Sequence, residues 1–217
     1  MSEKNWEYTG ETREGRNGKE VREIRWISGP YAGAADGWIE HDRNIFGSGI
    51  VAYGGVVTDR AVVADGGRVE DFAWLAGNAR VVDSRVANRA VVKDSALIRD
   101  SSIIVGVDVV VGGSAYLRNA RVVGEAEILT TEHYLQVGPM GSEQVFAHLY
   151  RTANDYHFNV GCWMGRIEEL AAEVEQRRES AYYWREEGST EAQRKQWVKE
   201  YKALAKLAKA RAKSFHA

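Results

Sequence analysis

An apolar residue recurs at every sixth position through the middle of the chain, and this period restricts the fold more than any other sequence feature. The residues of this series are Val51, Val57, Val63, Val69, Leu75, Val81, Val86, Val92, Ile98, Ile104, Val110, Tyr116, Val122 and Ile128. One step, from Val81 to Val86, is five residues long. A small or polar residue stands two positions before each member, and Asp, Asn or Gly recurs two positions earlier still. Because three residue classes keep one register, the pattern predicts a structural repeat.

Each group of six residues is long enough for one short strand and one turn. The apolar residue and the small residue before it are two positions apart, so a strand directs both toward the same inner face. Asp, Asn and Gly tolerate the left-handed backbone conformation that a sharp corner requires. Three strands close one triangular coil, and successive coils stack about 4.8 Å apart. The sequence therefore predicts a mainly β fold with four to five coils of parallel β-helix.

The repeat resembles the left-handed parallel β-helix of hexapeptide-repeat proteins, and the left-handed sense is implied by that resemblance alone. Four motifs outside the coils extend the likeness. They are the strand Arg22–Ile27, the segment Gly37–Gly49, and the glycine-bearing turns Gly138–Ser142 and Gly161–Gly165. Their order is similar to that in a family of uncharacterised bacterial and phage-borne hexapeptide-repeat proteins, often labelled transferases. The resemblance covers residues 20–180.

The resemblance implies a scaffold rather than a known activity. Many hexapeptide-repeat proteins are homotrimers, so we expect a homo-oligomer. The phage-borne relatives motivate a further hypothesis, in which the protein inhibits a host defence protein or sequesters a nucleotide. The leading interpretation is a non-catalytic binding or interaction protein. The alternative is an acyltransferase of the hexapeptide-repeat class with an atypical site.

Composition and pattern divide the chain into four segments. Residues 1–42 form an N-terminal β-hairpin and cap, with an Asn17–Gly18 turn. Residues 43–130 form the β-helix, and residues 131–180 form a small α+β cap. Residues 181–217 form a basic C-terminal helical tail, in which Gly188 separates the two helices of a hairpin.

Apolar residues also occupy outward positions of the predicted coils. Trp74, Val91, Val109 and Leu97 stand between the small and the apolar position of their repeats, so they point away from the interior. A contiguous exposed apolar surface usually marks an interface. We therefore predict that these four residues form the oligomer face. In the competing interpretation, C-terminal helices of the same chain cover it.

The C-terminal tail concentrates positive charge. Residues 189–217 hold eight basic and two acidic residues, a net charge of +6 in a chain of net charge −2. Lysines three and four positions apart form one stripe of a helix. The stripe consists of Lys195, Lys199, Lys202, Lys206, Lys209 and Lys213. With Trp197 beside it, the stripe predicts a binding site for an acidic protein or an anionic nucleotide, although a solvated face is the competing interpretation. Sequence-specific reading of nucleic acid favours arginine, so it is not expected here.

The residues with catalytic potential lie outside the coils. The five histidines are His41, His133, His148, His157 and His216, and the one cysteine is Cys162. An acyltransferase would need a histidine as general base, and a zinc enzyme of this class would need three histidines on the metal. We predict no catalytic residue, metal or cofactor, and His133 and His148 are the positions for the acyltransferase alternative. The sequence shows no signal peptide, so we expect the protein in the cytoplasm. It has no apolar run of about 18 residues, so we expect no membrane span.

Overall fold

A computed structural model describes residues 4–179 and 189–215 of the chain. The chain divides into two compact units, Met1–Thr131 (the N-terminal unit) and Glu132–Ala217 (the C-terminal unit). The N-terminal unit is a parallel β-solenoid of about five coils that follows a β-hairpin. The C-terminal unit combines a four-stranded antiparallel sheet with two α-helices. The fold is therefore mainly β, as the sequence period predicts.

Three sheets form the faces of the solenoid, with strands numbered in chain order. The first sheet contains β1 (Trp6–Glu14), β2 (Glu20–Trp26), β3 (Gly37–Ile39), β6 (Val56–Val57), β9 (Trp74–Leu75), β12 (Val91–Val92), β15 (Val109–Val111) and β18 (Ala126–Ile128). The second contains β4 (Ile45–Phe46), β7 (Val62–Ala64), β10 (Arg80–Val82), β13 (Leu97–Arg99) and β16 (Tyr116–Arg118). The third contains β5 (Ile50–Val51), β8 (Arg68–Val69), β11 (Arg85–Ala87), β14 (Ile103–Val105) and β17 (Arg121–Val123). Short 3₁₀ helices span Asp42–Asn44 and Thr131–His133.

The interior of the solenoid contains the predicted apolar series, with two exceptions. Twelve of its fourteen members are fully buried. The prediction is wrong for Val110 and Tyr116, which point outward, and Val111 and Leu117 take their places in the core. The physical reason is one extra residue in the corner between Ile104 and Val111, which shifts both following strands by one position. A five-residue step from Leu117 to Val122 restores the register.

Corners of the solenoid use the residues that the sequence indicates. Asp59, Asp65, Asn88 and Asp94 have positive φ angles between 45° and 62°, in the left-handed region. The one-residue shift also appears here: the six-residue count places Gly112 at a corner, four positions before Tyr116, but the next residue, Gly113, takes the left-handed conformation with a φ of 55°. The corners therefore confirm the predicted role of Asp, Asn and Gly.

The N-terminal hairpin pairs with the solenoid and covers part of its first face. Strands β1 and β2 are antiparallel, and β2 pairs with β3, the first strand of the parallel stack. Val21 of the hairpin packs in one apolar cluster with Trp38, Val56 and Trp74. Gly18 has a φ of 74°, which confirms the predicted Asn17–Gly18 turn. The parallel stack thus begins at Gly37, six residues before the position that the sequence suggests.

The C-terminal unit packs its two helices against one sheet. Its strands and helices are β19 (Tyr134–Met140), β20 (Val145–Arg151), β21 (Tyr156–Val160), β22 (Trp163–Met164), α1 (Leu170–Glu179) and α2 (Glu191–Ala212). Side chains such as Leu149, Phe158, Val174 and Leu204 share a single hydrophobic core. The tail therefore supplies one described helix, α2, because α1 ends at Glu179. The predicted separator Gly188 lies outside the described residues.

The start of α2 follows its sequence signal. Thr190 is the N-cap residue, and its Oγ1 accepts a hydrogen bond from the backbone N of Gln193 at 3.2 Å. The Gln193 Oε1 accepts one from the backbone N of Thr190 at 2.8 Å. Both bonds satisfy amide groups that lack partners within the helix. The predicted helix start at Ser189–Thr190 is therefore confirmed.

Candidate functional site

All six predicted lysines are exposed, five of them along one side of α2 and Lys213 at the C-cap directly after it. Their positions are Lys195, Lys199, Lys202, Lys206, Lys209 and Lys213. Three of them face carboxylates of the same unit. The ammonium group lies 3.8 Å from Glu191 for Lys195, 2.7 Å from Glu175 for Lys202, and 3.8 Å from Glu168 for Lys209. Surface ion pairs of this kind are weak. They hold one edge of the lysine row close to α1 and to the segment before it.

The remaining three lysines, Lys199, Lys206 and Lys213, form what we call the open lysine row. Within residues 4–179 and 189–215, no carboxylate lies within 4.0 Å of their ammonium groups. Residues 132–188 hold five arginines and ten acidic residues, so their charge of −5 offsets much of the tail's +6. The C-terminal unit is close to neutral as a whole. Its positive charge is concentrated locally on this row.

Trp197 does not share the lysine side of the helix. It lies two residues after Lys195, which corresponds to a rotation of about 200° around the helix axis. Its side chain is partly buried and packs against the hydrophobic core of the C-terminal unit, near Val198 and Tyr201. The indole therefore belongs to the apolar face of α2, and its contribution to binding by the lysines stays a prediction.

The predicted oligomer face is placed only in part as expected. Trp74, Val91 and Leu97 are partly exposed on the outside of the solenoid. The prediction that Val109 points outward is wrong, because Val109 is fully buried and Val110 takes the outward position beside Val91. The hairpin also shields Trp74, whose Nε1 donates to the Thr58 Oγ1 at 3.1 Å. The extra residue in the preceding corner accounts for the change at Val109.

The described histidines of the C-terminal unit sit among aromatic rings. The Nδ1 of His148 lies 2.7 Å from the Tyr134 hydroxyl, and His148 is 6% exposed. The His157 ring stacks on Tyr150 with centroids 4.7 Å apart, and burial lowers the pKa of His157. His133 lies near the ring of Phe215. A general base must reach its substrate, and burial of His148 works against that role.

The other candidate ligands do not form a metal centre in the part of the chain that the structure describes. His41 Nε2 lies 3.1 Å from Glu40 in the N-terminal unit, far along the chain from the other histidines. His216 lies outside the described residues. Among the residues that the structure describes, no group of three or more His, Cys, Asp or Glu side chains could hold a metal ion. Cys162 is a free and exposed cysteine.

A cleft that the sequence analysis missed opens on the third face of the solenoid. We call it the Tyr53 cleft, and its volume is about 500 Å³. The residues that matter for its chemistry are Tyr31, Tyr53, Arg68, Glu70, Asp71 and Arg85. The ring centroids of Tyr31 and Tyr53 are 5.9 Å apart, and the two ring planes are inclined by 46°. The cleft is therefore bordered by aromatic rings and by charged side chains of both signs.

A buried carboxylate organises the floor of the Tyr53 cleft. Glu70 accepts a hydrogen bond from the Arg85 Nε and another, at 3.2 Å, from the hydroxyl of Tyr31. Arg85 also reaches Asp71 at 3.1 Å, and these contacts raise the pKa of its guanidinium, chiefly through Glu70. Burial raises the pKa of Tyr31, so its hydroxyl keeps the proton it donates. The side chains are thus held in place by one another.

A signal for this cleft is present in the sequence. At the corner position where other coils place Asp, Asn or Gly, one coil carries Tyr53, and Phe72 directly follows Asp71 at the same corner of the next coil. Aromatic residues do not favour a left-handed corner, so the repeat alone does not explain why they stand here.

Comparison with known proteins adds no relative to these observations. No family model, no curated protein and no solved structure matches the chain. In the described ranges, no helix combines the length and the apolar character needed to cross a membrane.

Proposed function

We propose that this protein is a non-catalytic binding protein whose solenoid is a left-handed β-helix of hexapeptide repeats, and that the open lysine row of α2 binds an acidic protein. The observation that carries the proposal is the row itself. Lys199, Lys206 and Lys213 are exposed at intervals of seven residues. Each interval corresponds to about 10.5 Å along a helix.

The spacing of the row suits a partner with carboxylates along a helix or an extended strand. The ammonium groups repeat along a line on a rigid element, because the opposite side of α2 is anchored by Val198, Leu204 and Ala208 in the core. A fixed row of like charges attracts a complementary row and increases the association rate at low salt. Leu207, which is 47% exposed, adds an apolar contact one residue beyond Lys206.

The proposal also includes a homotrimer. Val91, Val110 and Leu97 leave partly exposed apolar surface on the outside of the solenoid. Apolar surface at successive coils supports association through the solenoid faces. A sedimentation measurement that returns the mass of one chain would exclude the trimer while leaving the lysine proposal intact.

The test of the lysine row uses two triple variants of equal charge. The first is Lys199→Gln, Lys206→Gln and Lys213→Gln, and the matched control replaces the three lysines that already face carboxylates, namely Lys195, Lys202 and Lys209, with Gln. The probe is a fluorescent polyglutamate peptide of about 20 residues, measured by anisotropy at low salt. Three surface pairs of about 0.5 kcal/mol each predict about a tenfold loss for the first variant.

The comparison between the two variants decides the outcome. The control is expected to lose less affinity, because its lysines are partly neutralised before the probe arrives. An equal loss in both variants would show a general charge effect and would contradict a specific role for the open row. Binding that does not weaken as salt increases would also contradict it, since exposed charges are screened within about 10 Å at 0.1 M salt.

A further inference from the structure

Three bulky residues occupy the left-handed backbone region at one corner of the solenoid. Tyr53, Phe72 and Arg89 have φ angles of 51°, 62° and 66° and belong to three successive coils. The backbone N of Phe72 donates to the carbonyl of Tyr53 at 3.1 Å, so these coils stack directly. Elsewhere in the N-terminal unit, the described non-glycine residues with positive φ are Asp, Asn or Ser. Bulky residues in this conformation are outliers, and such outliers cluster at binding and active sites.

The side chains at this corner are directed to solvent. Tyr53 is 49% exposed and Phe72 is 53% exposed, although buried positions are available to aromatic residues elsewhere in the unit. Arg89 is also exposed. An exposed aromatic ring on a rigid backbone offers a flat surface for stacking. The corner therefore presents two such surfaces, one coil apart, with a guanidinium in the next coil.

Charge is distributed unequally in the Tyr53 cleft that lies beside this corner. Arg85 is engaged by Glu70 and Asp71. Arg68 is exposed, and within the described residues no carboxylate lies within ion-pair distance of its guanidinium. Among the described residues, the cleft thus holds one guanidinium, that of Arg68, which contacts the Tyr31 hydroxyl but no carboxylate, and one carboxylate, Asp71, at its exposed edge, since Glu70 is buried. A ligand that suits it has an anionic group and hydrogen-bond donors at separate positions.

We propose that the Tyr53 cleft binds a nucleotide. The base stacks on the ring of Tyr53, the phosphate binds the guanidinium of Arg68, and Asp71 accepts hydrogen bonds from sugar hydroxyls or a base amino group. Guanidinium is the side-chain group best suited to phosphate, and aromatic rings bind bases without regard to sequence. The cleft volume of about 500 Å³ falls in the range of small-ligand sites. The site is independent of the open lysine row, so either proposal can fail alone.

A free nucleotide fits the cleft better than a strand of nucleic acid. Residues 1–131 hold 16 basic and 19 acidic residues, a net charge of −3. A long polyanion gains affinity by neutralising many phosphates along a basic surface, and an acidic unit does not supply one. A single phosphate placed on Arg68 avoids that repulsion. The strand is therefore an outcome that the experiment must be able to reveal.

The experiment measures binding to the full chain by isothermal titration calorimetry. The probes are the monophosphates AMP, GMP, CMP and UMP, with adenosine, inorganic phosphate and a ten-residue oligothymidylate for comparison. We expect at least one monophosphate to bind one site per chain, and adenosine and phosphate to bind at least about tenfold more weakly. Absence of binding by all four monophosphates at about 1 mM overturns the proposal. If adenosine binds as tightly as AMP, the proposed phosphate contact with Arg68 is wrong. If the oligonucleotide binds more tightly and with a steep salt dependence, the ligand is a nucleic-acid strand and not a free nucleotide.

Matched variants locate the site. Tyr53→Asn and Arg68→Gln are expected to weaken the bound monophosphate by about tenfold or more, because each removes one main contact. Asn accepts the left-handed conformation, so Tyr53→Asn retains the corner. The controls are Tyr116→Asn and Arg80→Gln, exposed residues of the same types on the second face. Unfolding curves confirm that all four variants fold. Equal weakening by variants and controls, or none by either, overturns the assignment of the site to this cleft.

Discussion

The ring of Phe72 lies against the backbone of Gly54 in the preceding coil, so closely that a Cβ on Gly54 would stand 2.6 Å from the Phe72 Cε1. Gly54 has a φ of 79°, so it is also in the left-handed region. The exposed aromatic corner therefore depends on a residue without a side chain one coil earlier. Sequence and packing are coupled here between positions 18 residues apart.

Gly54→Ala is expected to destabilise the protein by about 3 kcal/mol. About 1 kcal/mol comes from the left-handed backbone and the remainder from displacement of the Phe72 ring. Gly124→Ala is the control, because Gly124 has a φ of 96° but nothing within 4 Å of its added Cβ. Urea unfolding of both variants separates the two effects. Equal losses would mean that the ring does not contribute.

The register shift after Ile104 makes a second prediction. Val111→Ala is expected to cost about 2 kcal/mol, because Val111 is fully buried in the solenoid. Val110→Ala is expected to change stability by less than about 0.5 kcal/mol, because its side chain faces outward. The free energies of unfolding of the two variants provide the test. A larger loss of stability for Val110→Ala than for Val111→Ala would contradict the register shift and support Val110 as the core residue.

The partly buried ring of His157 predicts sensitivity of the fold to acid. Burial lowers its pKa in the folded state, so the unfolded chain binds the proton more readily. Its contribution to stability is therefore fully present above the ordinary pKa of about 6.5 and declines as the pH falls below that value. His157→Phe keeps a ring against Tyr150 and removes the titration. The midpoint of urea unfolding, measured between pH 8 and pH 5, should fall less steeply for this variant than for the parent chain, and identical slopes would contradict the prediction.

The N-cap of α2 allows a fourth prediction. Thr190→Ala removes the hydroxyl that accepts from Gln193, and the expected loss is about 1 kcal/mol. Thr190→Ser keeps the oxygen and should retain most of the stability. Thermal unfolding followed by circular dichroism at 222 nm compares the two. A similar loss in both variants would show that the methyl group, and not the cap, matters.

The repeat could be predicted from sequence because its core positions accept only aliphatic residues. The exact register could not be predicted throughout, and β15 shows why. It contains valine at positions 109, 110 and 111, so any of them satisfies an apolar pattern. The extra residue lies in the corner before it, where glycine and aspartate are acceptable at several positions. Only the pairing of backbones between coils selects Val111.

The candidate sites were predictable to different degrees. The lysine row follows from helical spacing alone, since every fourth or third residue returns to the same side. The position of Trp197 does not, because it depends on which part of the helix surface meets the core. The Tyr53 cleft combines residues from four separate segments between Tyr31 and Arg85, and the buried Glu70 that joins them has no distinguishing feature in the sequence.

The seven-residue step before Val111 and the five-residue step after Leu117 compensate one another. Between these steps, the core residues of β15 and β16 lie one position later in the sequence than the six-residue count gives, while the strands before and after them keep that count. An inserted residue and a deleted residue therefore neutralise each other across less than one turn of the stack. A chain built in this way can tolerate small changes in length at its bends during evolution, as the unpaired five-residue step from Val81 to Val86 also shows.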